Sequence, residues 1–166
     1  NMGNTLQEMD KFEEAIKSYE QAIKVNPDYA EAYSNKGNTL RRQFKLDEAI
    51  KSYNKSIFLK PDYAEAYNNI GNTFQEMDKF DEAIKSYEQV IKLNPDNAKA
   101  YHNIGLMLKS LGKFEEAIFS FIQALELKPD YAQVYSDMGN VLQDQGKLDE
   151  AVNTYKKALS IKPDYA

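Results

Sequence analysis

Proline recurs at Pro27, Pro61, Pro95, Pro129 and Pro163, always 34 residues apart, and a period of that length confines the chain to copies of one small structural unit. Glycine keeps the same beat at Gly3, Gly37, Gly71, Gly105 and Gly139, and alanine at Ala15, Ala49, Ala83, Ala117 and Ala151. Counted so that proline is position 32, complete copies run 30–63, 64–97, 98–131 and 132–165, after a partial copy at 1–29. One such unit cannot bury its apolar face alone, so stacked neighbours must supply the partner surface and the fold is linear.

Composition limits the function classes. The 166 residues are 42% hydrophobic, without an apolar run near the length of a bilayer span, so no membrane-crossing segment is expected. There is no cysteine, which removes disulfides, thiolate chemistry and cysteine metal sites together and is compatible with the expected cytoplasmic location. A net charge of −5 lacks the basic footprint that a phosphate backbone requires. The chain starts inside a unit without an initiator methionine, and it ends on Ala166, the first position of a further copy. It therefore reads as a piece of a longer array. The last segment, with Ala151, Val152, Tyr155, Ala158, Leu159 and Ile161, is as apolar as the interior ones, where a terminal repeat normally carries a polar cap. End-to-end self-association is the expected consequence.

Within 64–97, apolar or small residues fall at Ala66, Tyr67, Ile70, Gly71 and Phe74, then at Phe80, Ala83, Ile84, Tyr87, Ile91 and Leu93. Steps of three and four are the period of two amphipathic helices. Met77-Asp78-Lys79 breaks the pattern between them, and later copies place Gly112 or Gly146 there, as a left-handed helix end prefers. Phe44 stands at that site in the second copy, making its turn the least typical. Each unit is thus an antiparallel helical hairpin. At the junctions proline stops one helix and aspartate is placed to cap the next: Asp28 with Glu31, Asp62 with Glu65 and Asp130 with Gln133 have capping-box spacing, whereas Asp96 faces Lys99. Glu14, Glu48, Glu82, Glu116 and Glu150 open the second helices, where the helix dipole favours negative charge. The tyrosines occupy only unit positions 4, 24 and 34, a register that points to packing between helices, with hydroxyls at the edge.

A hairpin of this period with large apolar residues at 4, 7 and 11, glycine at 8, alanine at 20, an aromatic at 24 and proline at 32 resembles the tetratricopeptide repeat. Tyr67, Ile70, Gly71, Phe74, Ala83, Tyr87 and Pro95 carry the match in one copy, and the pattern covers the full chain. Departures are Lys36 at position 7 and Ser56 and Val90 at position 27, which predict looser packing of the second copy. The resemblance implies an all-α, right-handed superhelical solenoid of about five repeats, whose first helices line a groove at positions 2, 5, 6, 9, 12 and 13. In the family that groove usually holds an extended peptide or a partner's helix.

Read at those positions, the chain shows two series of carboxamides. Position 6 gives Asn1, Asn35, Asn69 and Asn103, then Asp137; position 9 gives Asn4, Asn38, Asn72 and Asn140, with Leu106 the exception. A carboxamide offers donors and an acceptor, so such a wall can hold a peptide's main chain whatever its side chains. The series is similar to the asparagine ladder in the repeat domain of O-linked N-acetylglucosamine transferases. The structural alternative is that the asparagines are merely solvated, or bond neighbouring helices to set the superhelix pitch. Residues 1–30 and 69–98 differ at only six positions, and their groove residues are identical, so the inner wall itself repeats.

A carboxylate-clamp reading fails, because position 5 is Ser34, Asn68, His102 and Ser136 and no arginine stands at 6. Arg41, Arg42, Lys99 and Lys109 alternate with Glu8, Glu65, Glu76, Asp137 and Asp144, a pattern read mainly as solvated surface. His102, the one histidine, lacks companions for a metal or a catalytic site and is expected to be exposed and to touch peptide. The resulting expectation is a non-catalytic scaffold without cofactor or metal. It binds protein or peptide through Asn35, Asn38, Asn69, Asn72, His102, Asn103, Asp137 and Asn140, with substrate recruitment for a catalytic domain elsewhere as one use, and binds neither nucleic acid nor membrane. The alternative is a self-assembling element.

Overall fold

In the computed structural model, which describes residues 11–164, the regular structure is entirely helical: α1 (Phe12–Val25), α2 (Ala30–Arg42), α3 (Leu46–Leu59), α4 (Ala64–Glu76), α5 (Phe80–Leu93), α6 (Ala98–Ser110), α7 (Phe114–Leu127), α8 (Ala132–Asp144) and α9 (Leu148–Ile161). Two compact units divide it between Lys79 and Phe80. The first holds α1 to α4 and the second α5 to α9, and α2–α3, α6–α7 and α8–α9 are antiparallel hairpins lying wholly within a unit. This is the all-α, hairpin-built architecture of a solenoid.

Each turn closes through the same pair of backbone bonds. After α2, Phe44 N donates to Arg41 O at 2.8 Å and Lys45 N to Leu40 O at 3.0 Å, the reciprocal pattern that ends a helix on a left-handed residue. Asp78, Gly112 and Gly146 repeat it, with φ of 55°, 72° and 75°, and Phe44 sits at 59°. A phenylalanine in that region is strained by its Cβ, and its ring is 84% exposed, so packing does not compensate.

The junctions depart from expectation by one residue. The N-caps of α2, α4 and α8 are Tyr29, Tyr63 and Tyr131, none with a side-chain cap bond. Asp28, Asp62 and Asp130 lie one residue further out, where their carbonyls accept from Ala30, Ala64 and Ala132 N. The copy without a capping box has the true cap: Asn97 Oδ1 accepts from Ala100 N at 3.1 Å. The acids of the second helices do lie in their first turns.

Hairpin packing follows from two of the periodic residues. A Cβ on Gly37 would stand 2.5 Å from the Tyr53 ring, on Gly105 2.4 Å from Phe121, and on Gly139 2.5 Å from Tyr155. The ring of position 24 therefore lies flat against backbone at position 8. In the first unit Tyr53 joins Leu40, Ala49 and Ile70 in a buried cluster, with Ile16, Ile57 and Phe74 packed on it. Ser56 at position 27 does not loosen this copy: it is fully buried and its Oγ donates to Ala30 O at 2.7 Å. Lys36 is likewise absorbed, by an ion pair with Glu20 at 2.7 Å.

The ring carries its hydroxyl to the first helix. Tyr53 Oη donates to Asn38 Oδ1 at 2.8 Å, and Tyr155 Oη to Asn140 Oδ1 at 2.8 Å. Burial pushes the Tyr53 hydroxyl from 10.0 up to about 12, so the fold favours its neutral form. That contribution is complete below the unfolded value of 10.0 and is lost as pH rises through about 12.

Gly37→Ala is expected to destabilise the protein by about 1–3 kcal/mol in urea unfolding, because the new methyl must displace the Tyr53 ring. Phe44→Gly should have the opposite sign, a gain of about 1 kcal/mol from relief of the left-handed strain. Equal effects of the two changes would contradict this account. Tyr53→Phe should cost about 1 kcal/mol and remove the component of stability lost between pH 10.0 and about 12. Asn38→Leu combined with Tyr53→Phe should cost less than either single change, since no buried partner is then left unpaired; additive losses would disprove the coupling.

Candidate functional site

The eight candidate residues fall two to a first helix: Asn35 and Asn38 on α2, Asn69 and Asn72 on α4, His102 and Asn103 on α6, Asp137 and Asn140 on α8. Asn1 and Asn4 lie outside the described residues. The 34-residue period puts the pairs on α2, α4 and α8 at positions 6 and 9, where a spacing of three keeps both members on one helix face, whereas His102 and Asn103 stand at positions 5 and 6.

Their surroundings divide them. Asn35, Asn38, Asn72, Asp137 and Asn140 are half-buried, whereas Asn69, His102 and Asn103 are buried. At position 9, the tyrosine bonds to Asn38 and Asn140 occupy the carboxamide oxygen and leave N–H donors for anything outside. At position 6, Asn35 and Asn69 carbonyls accept from Thr39 and Thr73 hydroxyls one turn on, and the buried Asn69 Nδ2 has no hydrogen-bond partner.

His102 corrects the expectation of an exposed contact. Only 8% of its side chain is accessible; its Nε2 lies 2.7 Å from Asp137 Oδ2, and Gln133 Nε2 donates to the same oxygen at 3.0 Å. The imidazole packs edge-on to Tyr131, with ring centres 5.2 Å apart, and against Phe121 at 5.8 Å. Burial, and then the Asp137 charge, raise the Tyr131 hydroxyl above its ordinary value. A pair held in this way joins α6 to α8. A histidine with an orienting carboxylate has two members of a catalytic constellation, but no nucleophilic side chain is bonded to it among the described residues.

The same offset recurs. Arg41 Nη1 meets Glu76 Oε1 at 2.8 Å across α2 and α4, and Lys109 Nζ meets Asp144 Oδ2 at 3.6 Å across α6 and α8. Both pairs, like His102–Asp137, are separated by 35 residues, one more than the period. The charges on the first helices thus neutralise one another between adjacent copies within each unit. A search for opposite charges at period plus one would have found them; position along a single helix could not. A further signal lay in the sequence: asparagine stands 15 residues before tyrosine at Asn38/Tyr53, Asn72/Tyr87 and Asn140/Tyr155, and the copy with Phe121 has Leu106 instead.

Among the described residues, no group of three His, Asp or Glu side chains is placed to hold a metal ion, and no helix is long and apolar enough to cross a membrane. Two solved structures of MamA are similar to this chain. One has 29% identity, covering 98% of this chain and 95% of that one, with a TM-score of 0.90. The other has 30% identity, 97% and 88% coverage and a TM-score of 0.87. YrrB, described as a TPR protein with an unusual peptide-binding site, shares the fold at 22% identity, 99% and 85% coverage and a TM-score of 0.81. No curated protein sequence matches. Models of the tetratricopeptide repeat match residues 64–97 and 96–164, and a TPR repeat model matches 3–43 and 37–78. Matched from residue 3 to residue 164, with helical hairpins of the expected register, the chain belongs to the tetratricopeptide repeat family.

Proposed function

We propose that this chain is a non-catalytic scaffold that receives an extended peptide, or an extended segment of a protein, along its first helices. The observation that carries this reading is the recurrent tyrosine–asparagine bond. By engaging Oδ1 of Asn38 and Asn140, it turns the carboxamide into a fixed pair of donors. Donors held in place lose little freedom when a ligand arrives, and a peptide carbonyl is the acceptor they suit. The unpartnered Asn69 Nδ2 adds a donor of the same kind, which costs about 1–3 kcal/mol while it stays unmade. A rotamer change on binding would recover that cost. His102 and Asp137 serve in this reading as a brace between α6 and α8. The family supports protein binding in general terms, and the peptide site named for YrrB belongs to a chain of the same fold.

Simultaneous alanine substitution of Asn35, Asn69 and Asn103, and separately of Asn38 and Asn140, is expected to reduce capture of peptides selected from a random-sequence phage library by about tenfold or more. Helical circular dichroism should be retained. Full capture by both folded variants would reject the mechanism.

A second reading, self-assembly, draws on α9. Leu148, Val152 and Leu159 are 62%, 48% and 44% exposed, whereas Leu46, Ile50 and Ile57, the same register on α3, are half-buried beside α4. An apolar face of this kind drives association when a matching surface is available. On this reading sedimentation should show association rising with concentration and abolished by Leu148→Glu with Val152→Glu. A strict monomer at all concentrations would remove it.

A further inference from the structure

The second helices of the copies differ at several surface positions, Phe58 among them, and in α7 two such changes share one face. The residue at position 22 is Lys17, Lys51 and Lys85 in three copies and Asn153 in the last, but Phe119 in α7; position 25 is Glu20, Asn54, Glu88 and Lys156 elsewhere, but Ile122 here. Phe119 is 64% and Ile122 42% exposed, and a spacing of three puts them on one face of α7. A polar stripe has become apolar in this copy alone.

Phe119 also forms one wall of an open cleft of about 660 Å³ between α5 and α7, whose floor includes Ile104 and Leu108 of α6, with Ile84 of α5 beside them. None of the eight candidate groove residues lines it. The floor residues Ile104 and Leu108 stand four apart on their helix, so the apolar floor repeats at one helical turn. The rim is acidic. Four carboxylates, Asp81, Glu88, Glu115 and Glu116, face two lysines, Lys85 and Lys113, and Lys113 is already drawn to Asp81 at 3.9 Å. Glu115 accepts from the neutral Gln145 amide at 2.7 Å. Helix α7 itself carries Glu115, Glu116 and Glu126 and no Lys or Arg.

We propose that this cleft is a second, copy-specific docking site for a partner protein, which presents a basic amphipathic helix: apolar residues one turn apart enter between α5 and α7, and Lys or Arg side chains on its flanks meet Glu88, Glu115 and Glu116. The apolar part supplies affinity by covering the exposed Phe119 and the half-buried Ile84, above a floor that the buried Ile104 and Leu108 form. The acidic rim selects a basic over an acidic helix and speeds encounter.

The probe is a fluorescein-labelled, amidated Leu/Lys helix with leucine at i, i+3, i+4 and i+7; a Leu/Glu helix with the same leucines is the control. The basic peptide should bind saturably, and Phe119→Lys, which installs the residue of the sibling copies at an exposed position, should weaken it about tenfold or more with an unchanged melting temperature. Glu115→Gln with Glu116→Gln should weaken it at low salt and flatten its salt dependence. Equal affinity of wild type and Phe119→Lys, equal binding of the acidic peptide, or no saturable binding up to about 1 mM would overturn the proposal. So would self-association of the protein alone that Phe119→Lys abolishes, because the occupant would then be a second copy.

Discussion

The contact between position 8 and position 24 sets the geometry on which each hairpin depends. With no Cβ at Gly37, Gly105 or Gly139, the ring of Tyr53, Phe121 or Tyr155 rests directly on the backbone of the facing helix. How closely the two helices approach is then set by one aromatic ring resting on bare backbone. The small residues around it, Ala32, Ala49 and Ser56 in one copy, are fully buried at that separation. They leave no slack for the ring to move aside. Positions 9 and 24 then vary together over an unchanging glycine. A tyrosine ring pinned against glycine delivers its hydroxyl to position 9, where asparagine accepts it; where the ring is Phe121, a carboxamide would lose its partner and the chain has Leu106.

Bonds between first helices of consecutive copies use another arithmetic. Arg41–Glu76, His102–Asp137 and Lys109–Asp144 each join residues 35 apart, and they differ in exposure. The Arg41 and Lys109 pairs are partly solvated, a setting in which an ion pair contributes about 0–1 kcal/mol. His102–Asp137 is shielded by Tyr131 and Phe121, so it acts on orientation, holding α6 and α8 in one register while Gln133 satisfies the same carboxylate. Charges that read mainly as solvated surface include three pairs that bridge neighbouring first helices.

The hairpins were legible in the sequence because they rest on local rules repeated in phase: proline as a stop, glycine or aspartate at the left-handed turn, apolar steps of three and four. The register of the candidate residues on first helices was legible for the same reason. What was hidden is what depends on the neighbouring copy. A helical register says which face His102 occupies, but not that Asp137 and Tyr131 close over it. Spacing alone also misplaced the caps: Asp28 is the preferred capping type, yet it is Tyr29 O that accepts the first helical bonds, from Ala32 N and Tyr33 N. Ser56 looked like a packing defect until its hydroxyl met the Ala30 carbonyl.

Repetition itself separates two kinds of recognition. A surface copied in every unit offers equal donors at equal steps, which suits what every polypeptide repeats, its main chain; discrimination between ligands gains little, because each step gives the same answer. Discrimination requires a position at which one copy departs from its siblings. Most departures in this chain are absorbed internally, as with Lys36 against Glu20 and Ser56 against Ala30. Phe119 is not absorbed: its ring stays largely exposed, beside a cleft with an apolar floor and an acidic rim. Exposure alone does not set it apart, since Phe44 and Phe58 are more exposed still; the cleft beside it does, and on the proposed reading its consequence lies outside the chain, in what covers it.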